Sequence, residues 1–525
     1  MEKKIFKRLA VAFIILAGML SACDLDVPNP NKLSKQKFWV SEDDAKSGTN
    51  AIYNMFYKPG TFSRWMWFRL DLTSDEGTSN SPWAELQNWT KFKYVNYNFW
   101  EGNGWHYRDF YEAIFRANQA IAYIPTIEGL SQERANLYLS QAYFLRGFYY
   151  YYAGLLWGST TKSLVIYLEP SQPDDALEGH TGKEIYEQAI SDLSKAIELG
   201  LPEVWPGEEK GRATKGAALA YRAKTYMMMH NYEAAKADLA WLVEGEGKKY
   251  YDLVADYSHN FRYDTENNVE SVFEIQYSDV HKAPAGDGDF DVNPNLGQNR
   301  GQFFAPPGIG WTDGELRPWL LDEFKKEKDV NGNFDIRLKY TAFYNGMNDD
   351  FTDNNRVYNR NLNDRPWEWG DRVFFRKYSS HHFRDYDDYH NPTNIRLVRY
   401  ADVLLMYAEA IAETGGTLSK AVAQVDRVRA RVDMPPLATN HPEAVASKDA
   451  FLKRLQMERV LELATEGHRW ADIKRWGLPD TPAGVAELIS RDPDFENFEI
   501  GKHNVLPIPS DEVNNNPNIE QNPNY

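Results

Sequence analysis

Apolar positions recur at helical spacing through most of the chain, and helix start and stop signals stand beside them. Ser41-Glu42-Asp43-Asp44 reads as a capping-box-like start with Asp in place of the usual Glu. Ala45, Ile52, Met55 and Phe56 follow at helical spacing up to Pro59. Phe110, Ile114, Ala117 and Ile121 predict a second helix over residues 107–124, stopped by Pro125, whose ring and missing N–H cannot continue the helix. A third is predicted over 132–156. Thr181 and Glu184 form a full capping box for a fourth, where Tyr186, Ala189, Ile190, Leu193 and Ile197 make one stripe before Gly200 and Pro202. Between 214 and 243, Ala223, Tyr226, Asn231, Tyr232, Ala235 and Leu239 occupy the packing and turn positions of a tetratricopeptide unit. Similar pairs are predicted at 398–412 with 419–431, followed by a long helix at 448–465. The fold class is therefore mostly α, a scaffold of stacked helix pairs.

The pattern breaks twice. Residues 61–104 show no period, and residues 245–394 break into short β-prone pieces such as Val272-Phe273-Glu274-Ile275 and Val373-Phe374-Phe375, separated by Gly, Pro, Asn and Asp. Both stretches are expected to be irregular, and loops held by a rigid frame are where binding groups usually sit.

Composition narrows the function. A net charge of −17 disfavours nucleic acid, whose binding needs clustered Lys and Arg to displace counterions. The chain is 14% aromatic, with 16 Trp and 32 Tyr, yet polar on average, as suits a protein that exposes rings for binding.

At the amino terminus, Lys3, Lys4, Lys7 and Arg8 precede an apolar run from Leu9 to Leu20 that reads as a signal peptide rather than a membrane span. It ends in Leu20-Ser21-Ala22-Cys23, a lipobox. The expected organisation is a signal peptide over 1–22, a tether over 23–37 lipidated at Cys23, and a single domain over 38–525. Cys23 is the only cysteine, so disulfides, thiolate metal sites and cysteine catalysis drop out, and the acyl chains would be the membrane anchor.

Three carboxy-terminal segments resemble the SusD/RagB family. The first runs from Arg399 through Asp402 to Ala410. The second holds Val428-Arg429-Ala430-Arg431, Glu458-Arg459, Glu462-Leu463 and the run from Glu466-Gly467-His468-Arg469-Trp470 to Gly477. The third is Leu506-Pro507-Ile508-Pro509 with Asn516-Pro517 and the terminal Gln521-Asn522-Pro523-Asn524-Tyr525. Two departures stand out: Ser159-Thr160-Thr161 replaces a Val-Pro turn, and Asn524 replaces a glycine. The resemblance implies about four tetratricopeptide-like pairs with an irregular, ligand-binding half. It implies a surface-exposed outer-membrane lipoprotein that captures glycan and serves as a lid on a SusC-like TonB-dependent barrel, with no catalytic step and no cofactor. Peptide capture, a surface glycoside hydrolase and a purely barrel-sealing role are the alternatives. Arg399, Asp402, Glu458, Arg459, Glu466, Arg469, Asp472 and Arg475 are expected to form a packed ion-pair network rather than a catalytic set.

Ten Trp fall in or beside the two irregular stretches: Trp65, Trp67, Trp83, Trp89, Trp100, Trp105, Trp311, Trp319, Trp367 and Trp369. A sugar ring stacks its C–H face on an indole and needs Asp, Asn or Arg at its hydroxyl rim. One ring covering ~50 Å² gives about 1 kcal/mol gross, so several groups must converge to bind even at millimolar strength. The ligand-binding candidates are Asp75, Asn80, Trp83, Trp89 and Trp100 from the first stretch and Trp311, Trp319, Arg365 and Trp367 from the second. Asp329-Val330-Asn331-Gly332-Asn333-Phe334-Asp335 departs from a calcium loop by its glycine at position four, and His381, His382 and His390 lack a helical ligand spacing, so no metal is assigned.

Overall fold

The computed structural model describes residues 38–93, 100–171, 175–280, 295–351, 356–358, 360–361 and 370–525. Cys23 with its lipobox, Arg365, Trp367 and Trp369 lie outside the described residues. In chain order the main helices are α1 (Glu42–Tyr53), α2 (Trp65–Leu72), α3 (Ala84–Thr90), α4 (Trp105–Tyr123), α5 (Gln132–Trp157), α6 (Gly182–Glu198), α7 (Lys215–Met228) and α8 (Tyr232–Val243). They continue with α9 (Trp319–Lys325), α10 (Tyr400–Glu413), α11 (Leu418–Ala430), α12 (Lys448–Leu463), α13 (Arg469–Arg475) and α14 (Pro482–Arg491). α1 packs on α4, α5 on α6, α7 on α8 and α10 on α11, which gives four pairs. The pairs join through α4–α5, α6–α7 and α8–α10, so eight helices form one continuous stack.

Local chemistry starts these helices where the sequence signals them. Ser41 Oγ accepts from Asp44 N while Asp44 accepts from the Ser41 N–H at 2.8 Å, so Asp serves for Glu in the box. Thr181 and Glu184 close the second box, and Asn231 caps α8 on the Ala234 N–H. Ala223, Ala235 and Leu239 are fully buried between α7 and α8, as tetratricopeptide packing requires.

The stretch 61–104 is more regular than its sequence suggests, because it contains α2 and α3. All eight residues of α2 are buried, including Trp65, Trp67 and Arg69, so no polar face remains to produce a period. Across 245–394 the structure is irregular, with short helices and paired strands. Ser271–Ile275 runs antiparallel to Ile395–Arg399, which leads directly into α10 and ties this half to the stack.

Buried charges join the two halves. Arg399 spends its whole guanidinium on carboxylates and one carbonyl: Nε on Glu466 at 2.7 Å, Nη1 on Glu270 at 2.9 Å and Glu462 at 2.5 Å, and Nη2 on the Glu462 carbonyl oxygen at 2.6 Å and Glu466 at 2.9 Å. Arg337 from the irregular half reaches Glu458 at 2.7 Å and Glu462 at 3.1 Å, and Lys377 reaches Glu466 at 2.7 Å. On the helix stack, Arg459 bridges Asp402 and Asp472, and Arg475 joins Asp472 to Glu409. The surrounding guanidinium groups hold the Glu458 and Glu462 carboxyls far below the usual range despite their burial.

The turn after α12 is strained and braced. Thr465 has φ 66, a left-handed conformation that a β-branched residue adopts at a cost of about 1–3 kcal/mol. Its N–H donates to Glu76 at 3.2 Å and its carbonyl accepts from Arg300. Gly467, at φ 76, supplies a second left-handed residue and donates its N–H to Asp71 at 3.0 Å. The sequence departures also have local reasons. Asn524 sits at φ 65, where Asn is tolerated after Gly, and Ser159 Oγ donates to Asn522 Oδ1 at 2.7 Å, pinning the carboxy terminus on α5.

Replacing Arg399 by Met should destabilise the protein by about 3–5 kcal/mol, because three buried carboxylates, Glu270, Glu462 and Glu466, each lose a guanidinium partner; a urea midpoint unchanged from the native chain would exclude this role. Burial, reinforced by neighbouring Asp75 and Asp71, pushes the Glu76 carboxyl up to about 8 from its usual 4.5. The folded chain thus keeps a proton that the unfolded chain releases, and stability from this group falls as pH rises from about 4.5 towards 8. Glu76→Gln should therefore raise the melting temperature relative to the native chain at pH 8 more than at pH 5; an equal change at both would refute the assignment.

Candidate functional site

The two irregular stretches meet where Gly77–Thr78 pairs antiparallel with Glu315–Leu316. Side-chain hydrogen bonds lock the edges of this pairing. Ser81 Oγ donates to Asp313 Oδ1 at 2.5 Å, and Asn80 Nδ2 donates to Glu315 Oε1 at 3.2 Å. Lys91 Nζ donates to Asn80 Oδ1 at 3.0 Å, and Arg372 Nη2 to Glu315 Oε1 at 2.9 Å. Burial pushes the Asp313 carboxyl up, partly offset by the Ser81 hydroxyl.

A spine of edge-to-face rings supports this junction from beneath. Trp83 meets Trp65 at 5.4 Å between centroids, Trp65 meets Phe68 at 5.1 Å, Phe68 meets Phe303 at 5.1 Å and Phe303 meets Trp311 at 5.2 Å. The middle three rings are buried, while Trp83 is half-buried and Trp311 is 52% exposed. Tyr389 flanks Trp311 at 5.5 Å, and the Arg64 guanidinium lies 5.0 Å above the Phe303 ring. The face thus presents two indoles held in fixed orientation, with the Asn80 amide, the Lys91 ammonium and the Arg372 guanidinium between the stretches that carry them, while the Glu315 carboxylate lies buried beneath and orients the amide and the guanidinium. Such a face can stack sugar C–H surfaces and bond sugar hydroxyls.

The structure brings Asn80, Trp83 and Trp311 together here, and it corrects other expectations. Asp75 is fully buried, gripped by Arg469 at 2.6 and 2.7 Å and by Arg491 at 3.1 Å, so its carboxylate belongs to the ion network and does not face ligand. Trp89 is only 5% exposed, set against Trp65 at 5.7 Å under the Arg69 guanidinium, and works as packing. Trp319 is half-buried. Its Nε1 donates to the Asp75 carbonyl at 2.6 Å and the Arg491 guanidinium lies 5.2 Å from its ring, so its polar edge is spent inside the protein. The side chain of Trp100, and Arg365 and Trp367 altogether, lie outside what is described. Asp329 turns inward on the N–H groups of Asn331 and Asn333, while Asp335 pairs with Arg337, so the calcium-like segment is a hydrogen-bonded turn. His381 is bonded to Ser379, and burial holds it well below its usual range; His382 accepts from the Tyr263 N–H.

Asp313, Glu315, Arg372 and Tyr389 line or underlie the face and escaped the sequence reading, whereas Ser81 stands in the polar run from Asp75 to Trp83 that the sequence marks as the first candidate for the site. Of the four that escaped, only Tyr389 had a readable signal, the alternation of rings and carboxylates in Tyr386-Asp387-Asp388-Tyr389.

Comparison with known proteins agrees with this architecture. The model of the SusD family matches residues 269–525, and a model described as starch-binding, associating with the outer membrane, matches residues 25–227. A SusD-like protein of Formosa agariphila is 27% identical over 99% of this chain and all of its own length. A crystallised SusD superfamily protein from Bacteroides vulgatus superposes with a TM-score of 0.79 at 25% identity, covering 93% of this chain and 100% of that one. A laminarin-binding SusD-like protein superposes with a TM-score of 0.72 at 25% identity and the same coverage. The matched segments, the four helix pairs and the full-length relatives together place this chain in the SusD/RagB family.

Proposed function

We propose that this chain is a cell-surface, outer-membrane lipoprotein, anchored through Cys23, that captures oligo- or polysaccharide and passes it to a SusC-like TonB-dependent transporter. The observation that carries the reading is Trp311, a large indole left half in solvent yet fixed from below by Phe303 and from the side by Tyr389. A ring held this way loses little freedom on stacking with a sugar, so more of its contact survives as affinity. Asn80 and Arg372, both oriented by buried Glu315, supply directional partners for the hydroxyl rim. Membership in a family whose model description names starch binding and the outer membrane supports the same reading. Among the described residues no helix is long and apolar enough to cross a membrane, which leaves the lipid on Cys23 as the proposed anchor.

The mechanism is capture without bond cleavage. Stacking on Trp311 and Trp83 positions the sugar, the polar groups select its hydroxyl pattern, and a rigid helical body carries the bound chain to the barrel. The named laminarin-binding relative makes laminarin the first ligand to try.

Calorimetric titration of the full chain against laminarin, starch, fructan, mannan and xylan should show one glycan class bound. Trp311→Ala should weaken that binding about tenfold or more, the loss of one stacked ring and its immobilised neighbours. Binding that ignores Trp311→Ala and Trp83→Ala, or no binding to any glycan, would sink the assignment of this face. Incubation with the same polysaccharides should release no reducing ends.

A further inference from the structure

Five large aromatic side chains expose more than a third of their surface among the described residues: Tyr250, Tyr263, Trp311, Phe383 and Tyr386. All but Tyr250 lie on, or against, the loop of residues 380–390. Exposed rings on a soluble protein are ordinarily scattered, so four on one loop system need a reason. At one end of the loop Tyr389 flanks Trp311, as described above. Towards the other, Phe383 stacks on Tyr263 with centroids 5.3 Å apart and planes 26° from parallel.

These rings are held rather than dangling. The Arg384 guanidinium sits between them, 5.1 Å from the Phe383 ring and 5.7 Å from the Tyr386 ring. It is itself fixed by Asp279 at 2.7 Å and by the His390 carbonyl at 3.1 Å. Buried Asp387 secures the loop's core, accepting from Tyr358 at 2.5 Å, from the Ser380 N–H at 3.0 Å and from Asn391 at 3.0 Å. Tyr263 and Tyr386 make no hydrogen bond through their hydroxyls among the described residues. A solvent-facing bidentate pair, Arg262 with Asp264 at 2.6 and 2.8 Å, borders Tyr263.

We propose that Tyr263, Phe383 and Tyr386 form a second carbohydrate platform, continuous with the Trp311 face through the 380–390 loop, so that the preferred ligand is a polysaccharide chain lying across both. The proposal rests on the reading of the Trp311 face as a glycan site and adds the length of the ligand to it. Ring faces beside phenol hydroxyls that bond no described residue, and an exposed Arg–Asp pair, suit sugar, which offers a C–H face and hydroxyls together. Tyr386 is three residues from Tyr389, so their Cα atoms lie within about 11 Å, close enough for one chain to meet both platforms. Two linked contacts on one ligand raise affinity without any new site on the sugar.

Titration of the full chain with laminaritriose, laminarihexaose and laminarin polymer, or with the matching series of whichever panel glycan binds, tests this. The native chain should bind polymer more tightly than trisaccharide. Phe383→Ala combined with Tyr386→Ala should weaken polymer about tenfold and leave the trisaccharide unchanged. Tyr386→Phe, which removes only a hydroxyl from an exposed ring, should give a smaller loss in the same direction. Trp311→Ala should weaken every length. If the double variant binds all lengths like the native chain, or loses trisaccharide and polymer alike, the second platform is wrong while the Trp311 reading stands. Indifference of every length to Trp311→Ala removes both.

Discussion

Everything in this protein hangs on the buried ion network around Arg399, Glu462 and Glu466. A helix stack and a loop-rich half do not share a repeating surface, so apolar packing alone gives them no single register. Guanidinium and carboxylate groups do, because each bond has a direction and an unpaired buried charge is costly. Arg399 stands at the junction of strand and α10, Glu458 and Glu462 on α12, and Arg337 and Lys377 in the irregular half. The network also reaches the proposed ligand face, since Arg469 takes Asp75 and so fixes the segment that leads to Asn80 and Trp83.

That coupling explains how a face made of loops can be rigid. Thr465 is held in a strained conformation by Glu76 and Arg300, and Gly467 docks on Asp71, so the turn after α12 braces against α2 and the residues that follow it. From the same segment rises the ring spine whose ends, Trp83 and Trp311, come to the surface. Groups positioned in advance would lose less entropy on binding sugar at the proposed face, which matters when each ring contributes only about 1 kcal/mol.

What could be read from the sequence was local or strongly patterned. Ser41 with Asp44 and Thr181 with Glu184 announce helix starts because a cap involves residues three apart. Ala223, Ala235 and Leu239 announce a helix pair because packing repeats with the helical turn. The charges at Arg399, Glu458, Glu466 and Asp472 stood in apolar company, and charges there survive only when paired. α2 escaped because it is buried on every side and shows no period.

The sequence by itself determined the helix pairs, the place of the irregular segments and the supply of indoles and hydroxyl-binding groups. Which of those groups face solvent was decided only by the tertiary structure. Asp75 and Asn80 are five residues apart in one polar run, yet Asp75 is claimed by Arg469 from 394 residues away while Asn80 is left at the surface. Trp83 and Trp89 both touch Trp65, yet the Arg69 guanidinium covers one and the other stays partly open. Burial of a particular side chain is a property of what packs over it, and for this face the covering residues come from distant parts of the chain.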